Sequence, residues 1–136
     1  DFIDVCNAII KQQLHKIEIK FQSKATVCKY VVPNGYPDSP VKDKKIKIGK
    51  IPESAKIYYA SVDKKRDGLY LTTSRAIACL GIADSLEEAE RIAEQATNSI
   101  KGPVFHRDDI GTKKLIEKRF NHMKGILAKK SKTLNK

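Results

Sequence analysis

The sequence contains no tryptophan, a single methionine and only three cysteines. Cys6, Cys28 and Cys79 are far apart, odd in number and set among apolar neighbours, so no pair has metal-ligand spacing and no disulfide framework emerges. They read as buried free thiols in a reducing compartment. No apolar run approaches the roughly 20 residues of a membrane span, and no signal peptide is visible. A soluble cytoplasmic domain is expected. Catalytic signatures are scarce as well. No two carboxylates are set for acid–base work, no glycine-rich loop has phosphate-binding spacing before a helix, and no Ser or Cys has a local activation motif. His15, His106 and His122 are isolated in sequence and read as surface or partly packed side chains rather than ligands.

Acids are few, 16 against 27 Lys or Arg, for a net charge of +11 over 136 residues. From Thr112 to Lys136 nine basic side chains face one acid, Glu117, a balance of +8 that leaves +3 for the rest. The basicity is therefore largely a property of the end of the chain. Only five of the 27 basic residues are arginine, whereas base readout and bidentate phosphate contacts favour arginine. Specific nucleic-acid binding is disfavoured, although a basic module docking on RNA or an acidic partner stays open.

The length fits one domain with a real core. Phe2, Ile3, Val5, Cys6, Ile9 and Ile10 recur at helical spacing, predicting an amphipathic helix over residues 1–14. Because the chain opens at Asp1 within that pattern, a longer parent protein is expected. Ile17 to Phe21 alternates as a half-buried strand, and Ala25 to Val32 is a second strand. Val41 to Gly49, very polar, reads as a surface segment or an edge strand guarded by lysines. Lys56 to Val62 is a strand rich in aromatic and β-branched residues. Asp63 to Gly68, which contains Lys64-Lys65-Arg66-Asp67, reads as a charged hairpin turn. Leu69 to Leu71 follows, and Ala76 to Ala83, apolar throughout, is expected to be buried on both faces.

Ser85 with Glu88 three residues on forms a capping box for the clearest helix. Leu86, Ala89, Ile92, Ala93, Ala96 and Ile100 make its apolar stripe, whose small alanines allow close approach to a sheet. Gly102-Pro103 is expected to stop it. Val104 to His106 is a short strand, and Thr112 caps a final basic helix to about Leu127, with a frayed tail beyond. The order predicts an α+β fold, with an antiparallel curled sheet, one docked amphipathic helix and a closing C-terminal helix around one core.

Three polar corners are the candidate sites. Pro33-Asn34-Gly35-Tyr36-Pro37-Asp38-Ser39-Pro40 is stiffened by its prolines and holds a shape at little entropic cost. Thr72-Thr73-Ser74-Arg75 joins two apolar runs, and Arg107-Asp108-Asp109-Ile110-Gly111 follows a third. Arg75 and Arg107 read either as caps and salt bridges or as an anion clamp.

Four segments occur in a familiar order: Gly35-Tyr36-Pro37, Thr73-Ser74-Arg75, Asp84-Ser85-Leu86-Glu87-Glu88-Ala89, and Phe105-His106-Arg107-Asp108-Asp109-Ile110-Gly111. Together they resemble the C-terminal part of the phosphoribosylamine–glycine ligase (glycinamide ribonucleotide synthetase) family of purine biosynthesis, over roughly residues 1–125. That resemblance implies that residues 1–24 are the end of an ATP-grasp domain, 25–127 the C-terminal domain and 128–136 a basic tail. It implies joining of glycine to phosphoribosylamine through an acyl phosphate, with ATP and Mg2+ held upstream of Asp1 and no catalytic or metal-binding residue in this part. Gly35, Tyr36, Pro37, Arg75, Arg107 and Asp109 would line one wall of a cleft completed by upstream domains of the same protein. Another ATP-grasp enzyme is the nearest rival. Asn34 stands where many relatives have glycine, and Thr73-Ser74 where Gly-Gly is usual. Tyr58-Tyr59-Ala60-Ser61-Val62 lacks the family's histidine.

Overall fold

The computed structural model describes residues 1–134, with side-chain surroundings through Ala128. Eight strands form two four-stranded antiparallel sheets rather than the single curled sheet expected. The first has the order β3 (Ala55–Tyr59), β6 (Ile77–Ala83), β1 (Ala25–Pro33), β8 (Val104–Phe105). The second has the order β4 (Val62–Lys65), β5 (Gly68–Leu71), β2 (Lys45–Ile48), β7 (Ile100–Lys101). The α+β class stands, and both sheets feed one core: Val31, Ile46, Leu71, Ile77, Cys79 and Ile100 are buried together.

The centre of the molecule is β6, paired with β1 on one side and β3 on the other. Helix α2 (Leu86–Asn98) crosses it. Ser85 caps the helix by accepting the Glu88 amide at 3.2 Å, as the capping box predicts. Ala89, Ala93 and Ala96 are fully buried, and the helix lies so close that a Cβ on Gly81 would stand 2.0 Å from the Ala89 carbonyl oxygen. The helix ends at Asn98, before Gly102-Pro103, because Ile100 is drawn into β7 opposite Ile48.

Other differences have pairing causes. Ile17 to Phe21 forms no strand and joins no ladder among the described residues, and Phe21 is 91% exposed. Alternation makes a strand only where a partner edge exists. The lysine-rich segment is no edge: β2 lies between β5 and β7, with Ile46 buried and Lys45 and Lys47 outward. Lys56 to Val62 breaks into β3 and β4, in different sheets. At the corner the Ala60 and Ser61 amides bond the carbonyls of Ala76 (2.9 Å) and Arg75 (3.0 Å), and the Thr72 hydroxyl donates to the Ser61 carbonyl at 2.9 Å.

Before the sheets, α1 (Phe2–Ile10) and a 3-10 turn at Leu14–Lys16 stand with their apolar side chains open, Phe2 and Ile10 nearly 80% exposed. After them, α3 (Lys113–Leu134) runs seven residues past the expected end at Leu127. Alanine and lysine are good helix formers, and no glycine or proline follows Gly125 to stop it. Fraying was expected over residues 129–136; the helix instead continues to Leu134, and residues 135 and 136 fall outside the described residues.

Candidate pocket at the polar corners

Strand alternation sets up the site. Val27, Lys29 and Val31 of β1 face inward, while Cys28, Tyr30 and Val32 turn to the opposite face. Pairing of Val32 with Phe105 and of Pro33 with Val104 brings β8 alongside and sets Arg107 just beyond. Ala76 donates its amide to the Val31 carbonyl at 3.0 Å, which carries the Arg75 corner to the same place. The resulting pocket, of about 480 Å3, has an apolar floor of Tyr30, Val32, Phe105 and Ile110, with Tyr36-Pro37 on one rim and Arg75 and Arg107 on the others.

The proline loop is closed by its own backbone. Tyr36 donates to the Pro33 carbonyl (3.1 Å), Ser39 to Gly35 (2.8 Å) and Val41 to Asn34 (2.9 Å), while Asn34 donates to Pro103 across the chain (2.9 Å). Gly35 has φ +81°, and a Cβ there would lie 2.1 Å from the Ser39 carbonyl oxygen, so no other residue fits without rearrangement. The Tyr36–Pro37 peptide is cis. Neither Asn34, Thr73 nor Ser74 needs a positive φ, so the residues that replace glycine at these two corners sit in ordinary backbone conformations.

The two arginines differ. The Arg75 guanidinium lies over the Tyr30 ring, 5.0 Å from its centroid, and pairs with no carboxylate among the described residues. Arg107 is forked onto Asp109, Nε to Oδ1 at 2.9 Å and Nη2 to Oδ2 at 2.7 Å. The hydrogen bonds of that fork hold the Asp109 carboxyl below its ordinary range and push the Arg107 guanidinium up. Two cationic planes over an apolar floor with no carboxylate in the lining make a receptor for an anion that also carries apolar or ring surface.

Of the six site residues expected from sequence, Tyr36, Pro37, Arg75 and Arg107 line one pocket. Gly35 lies behind it, shaping the loop, and Asp109 reaches it only through Arg107. Tyr30 and Cys28 were not expected at a site, and Phe105 and Ile110 stood within the quoted segments without a site role. The period of two along β1 was the available signal for Cys28 and Tyr30. All three cysteines are free thiols, but only Cys79 is fully buried, and burial pushes it up to about 12. Cys28 is exposed at the pocket, contrary to expectation, because it sits on the outward side of β1.

Behind the pocket, on the other side of β1, is a polar network. Lys29 is 1% exposed, and its Nζ donates to Glu90 Oε1 (2.7 Å), Glu94 Oε2 (2.5 Å) and the Asp108 carbonyl (2.8 Å). Glu94 also meets His106 Nε2 at 3.0 Å and accepts from Asn98 Nδ2 at 3.0 Å. Burial alone raises the Glu94 carboxyl, but the bonds from Lys29 and His106 outweigh it and leave it below the ordinary 4.5. A depressed folded-state value means stability that is present above the unfolded pKa and lost as pH falls through the folded one. Resistance to urea should therefore weaken below about pH 4.5, and Glu94→Gln should flatten that part of the profile. An unchanged acid slope in the variant would contradict the assignment. A larger cleft, about 880 Å3, lies between α1 and residues 17–21. Its walls come from the first 21 residues alone, and the converging corners do not reach it.

Residues 26–113 match the family described as "Phosphoribosylglycinamide synthetase, C domain". Over 128 residues the chain is 52% identical to the phosphoribosylamine–glycine ligase of Methanocaldococcus jannaschii, covering 90% of this chain and 28% of that protein. Over 126 residues it is 48% identical to the enzyme of the same name from Methanosarcina acetivorans, covering 93% and 28%. The crystal structure of phosphoribosylamine–glycine ligase from Thermotoga maritima superposes with a TM-score of 0.51 at 31% identity, over 59% of this chain and 20% of that one. The chain thus spans about 28% of the length of these curated relatives.

Proposed function

The chain belongs to the phosphoribosylglycinamide synthetase C-domain family, and from that premise we propose that it is the carboxy-terminal part of an ATP-dependent, cytoplasmic ligase that joins glycine to 5-phosphoribosylamine. The observation that carries the reading is the meeting of Arg75 and Arg107, 32 residues apart in sequence, at one pocket beside Tyr36-Pro37. Phosphoribosylamine is a phosphate anion on a sugar ring. Guanidiniums suit its phosphate through charge-assisted bonds, and the tyrosine and phenylalanine rings suit the less polar faces of the ribose.

The reading assigns ATP and Mg2+, with the activation of glycine as an acyl phosphate, to segments upstream of Asp1, because the chain spans only about 28% of the ligases it matches. This chain's own part is to hold and orient the substrate and to exclude water from one side. The open apolar face of α1 supports the assignment of residues 1–24 to an upstream ATP-grasp domain, which would cover Phe2, Ile3 and Ile10.

Full-length protein supplied with ATP, Mg2+, glycine and phosphoribosylamine generated in place should release ADP only when both substrates are present, and this chain alone should release none. ADP release that ignores glycine would overturn the proposal. A second reading rests on α3, where Phe120, Met123 and Leu127 are exposed on a strongly basic helix. If α3 binds RNA or an acidic partner, truncation after Gly111 removes a salt-sensitive affinity. If the ligase reading holds alone, no such affinity exists to be lost.

A further inference from the structure

Among the described residues Lys29 is the one charged side chain that the fold buries almost completely, and its surroundings are more specific than charge balance requires. An ammonium has three donors. Two of them meet Glu90 and Glu94, one turn apart on α2, and give each carboxylate a direct cationic partner. The third leaves the helix and meets the Asp108 carbonyl at 2.8 Å. Asp108 follows Arg107 directly, and His106, on the other side of Arg107, is tied to Glu94 at 3.0 Å. The residues on both sides of Arg107, Asp108 through its backbone carbonyl and His106 through its ring, are thus fastened to one cluster behind the sheet. Within the turn itself the Thr112 amide and hydroxyl both bond the Asp109 carbonyl, at 3.1 and 2.8 Å. Buried ion pairs are often no more stabilising than apolar residues of the same volume. What the ammonium supplies here, and an apolar side chain cannot, is a directional bond to the Arg107 turn.

We propose that Lys29 is a positioning residue for the pocket: from the far side of β1 it fixes the turn that presents Arg107 to an anionic, phosphate-bearing ligand. The inference rests on reading the pocket as the place where the substrate phosphate is held. Lys29, Glu90, Glu94 and His106 do not line the pocket. Cys28 and Tyr30, the neighbours of Lys29 on β1, line the pocket directly, so the strand carries the floor on one side and the fastening for the rim on the other.

The test is made on the full-length protein with ribose 5-phosphate as the probe, by titration calorimetry, beside steady-state kinetics. Lys29→Met alone leaves Glu90 and Glu94 without a cation and loses stability. The triple variant Lys29→Met, Glu90→Gln, Glu94→Gln removes both the cation and the charges it balanced. In the triple variant the melting temperature should stay close to wild type. The Kd for ribose 5-phosphate and the KM for phosphoribosylamine should each rise about tenfold, the scale of a mis-set charge-assisted contact. The KM for ATP should not move. A folded triple variant with the wild-type Kd reduces Lys29 to charge balance and overturns the proposal. So does failure of both variants to fold, which makes the lysine a stability requirement, and so does wild-type protein that does not bind the probe. Wild-type protein that binds ribose 5-phosphate yet makes no product leaves the positioning role intact and instead refutes the ligase reading.

Discussion

Replacing Arg107 by alanine in the full-length protein is expected to lower kcat/KM for phosphoribosylamine by about 10- to 100-fold, the range for a charge-assisted contact to an anion in a closed site. The side chain is open to solvent in this chain, and among the described residues only Asp109 engages it. Its worth therefore depends on the upstream domains closing over the pocket and excluding water. The form of the loss is informative. A raised KM with kcat unchanged means that Arg107 holds the phosphate equally in the ground and transition states, whereas parallel losses in kcat and kcat/KM mean that the contact tightens during reaction. Lysine at 107 keeps the charge but cannot make the two-point fork to Asp109, so it should recover part of the loss. Kinetics unchanged in the alanine variant would make Arg107 a local partner of Asp109 and nothing more.

The second large effect concerns the packing that puts the pocket where it is. Gly81→Ala adds a Cβ that would stand 2.0 Å from the Ala89 carbonyl oxygen and 2.7 Å from the Ala93 amide nitrogen. Both are backbone atoms of α2, so no side-chain rotation relieves the overlap. The helix must move off β6, and Ala89, Ala93 and Ala96 lose their close contact. A loss of about 3 kcal/mol is expected, toward the upper end of overpacking costs, with a drop in melting temperature of about 10 °C or more. Because Glu90 and Glu94 ride on the same helix, the shift should also loosen Lys29 and weaken anion binding. A Gly81→Ala protein that melts with wild type would show that α2 does not approach the sheet this closely.

How much of this was legible in the sequence depends on how local each signal is. Helix α2 could be read nearly whole, since its cap at Ser85 and its alanine stripe lie within 13 residues. The convergence of the corners was legible only as order and type: Tyr36-Pro37 and Arg107 each follow an apolar strand and Arg75 precedes one, but nothing local says that the strands are β1, β8 and β6 side by side. Where pairing decides, local pattern failed. Ile17 to Phe21 alternates as well as any strand yet has no partner, and the lysines of β2 suggested an edge although Ile46 sits at the core. Lys29 went unremarked within an otherwise apolar strand because the carboxylates that accommodate it lie some 60 residues away on α2. The corner at Ala60 and Ser61 was hidden for the same reason, since the carbonyls that bend it belong to Arg75 and Ala76.

The central claim is that the proline loop, the Arg75 corner and the Arg107 turn form one wall that holds the phosphate side of a ligase substrate. A crystal structure of the full-length protein with glycinamide ribonucleotide bound tests it most directly. The account predicts phosphate oxygens within hydrogen-bonding distance of the Arg75 or Arg107 guanidinium, with the ribose against Tyr36 or Phe105. A complex in which the nucleotide is bound wholly by upstream domains, with no atom of it near either arginine, would contradict the account.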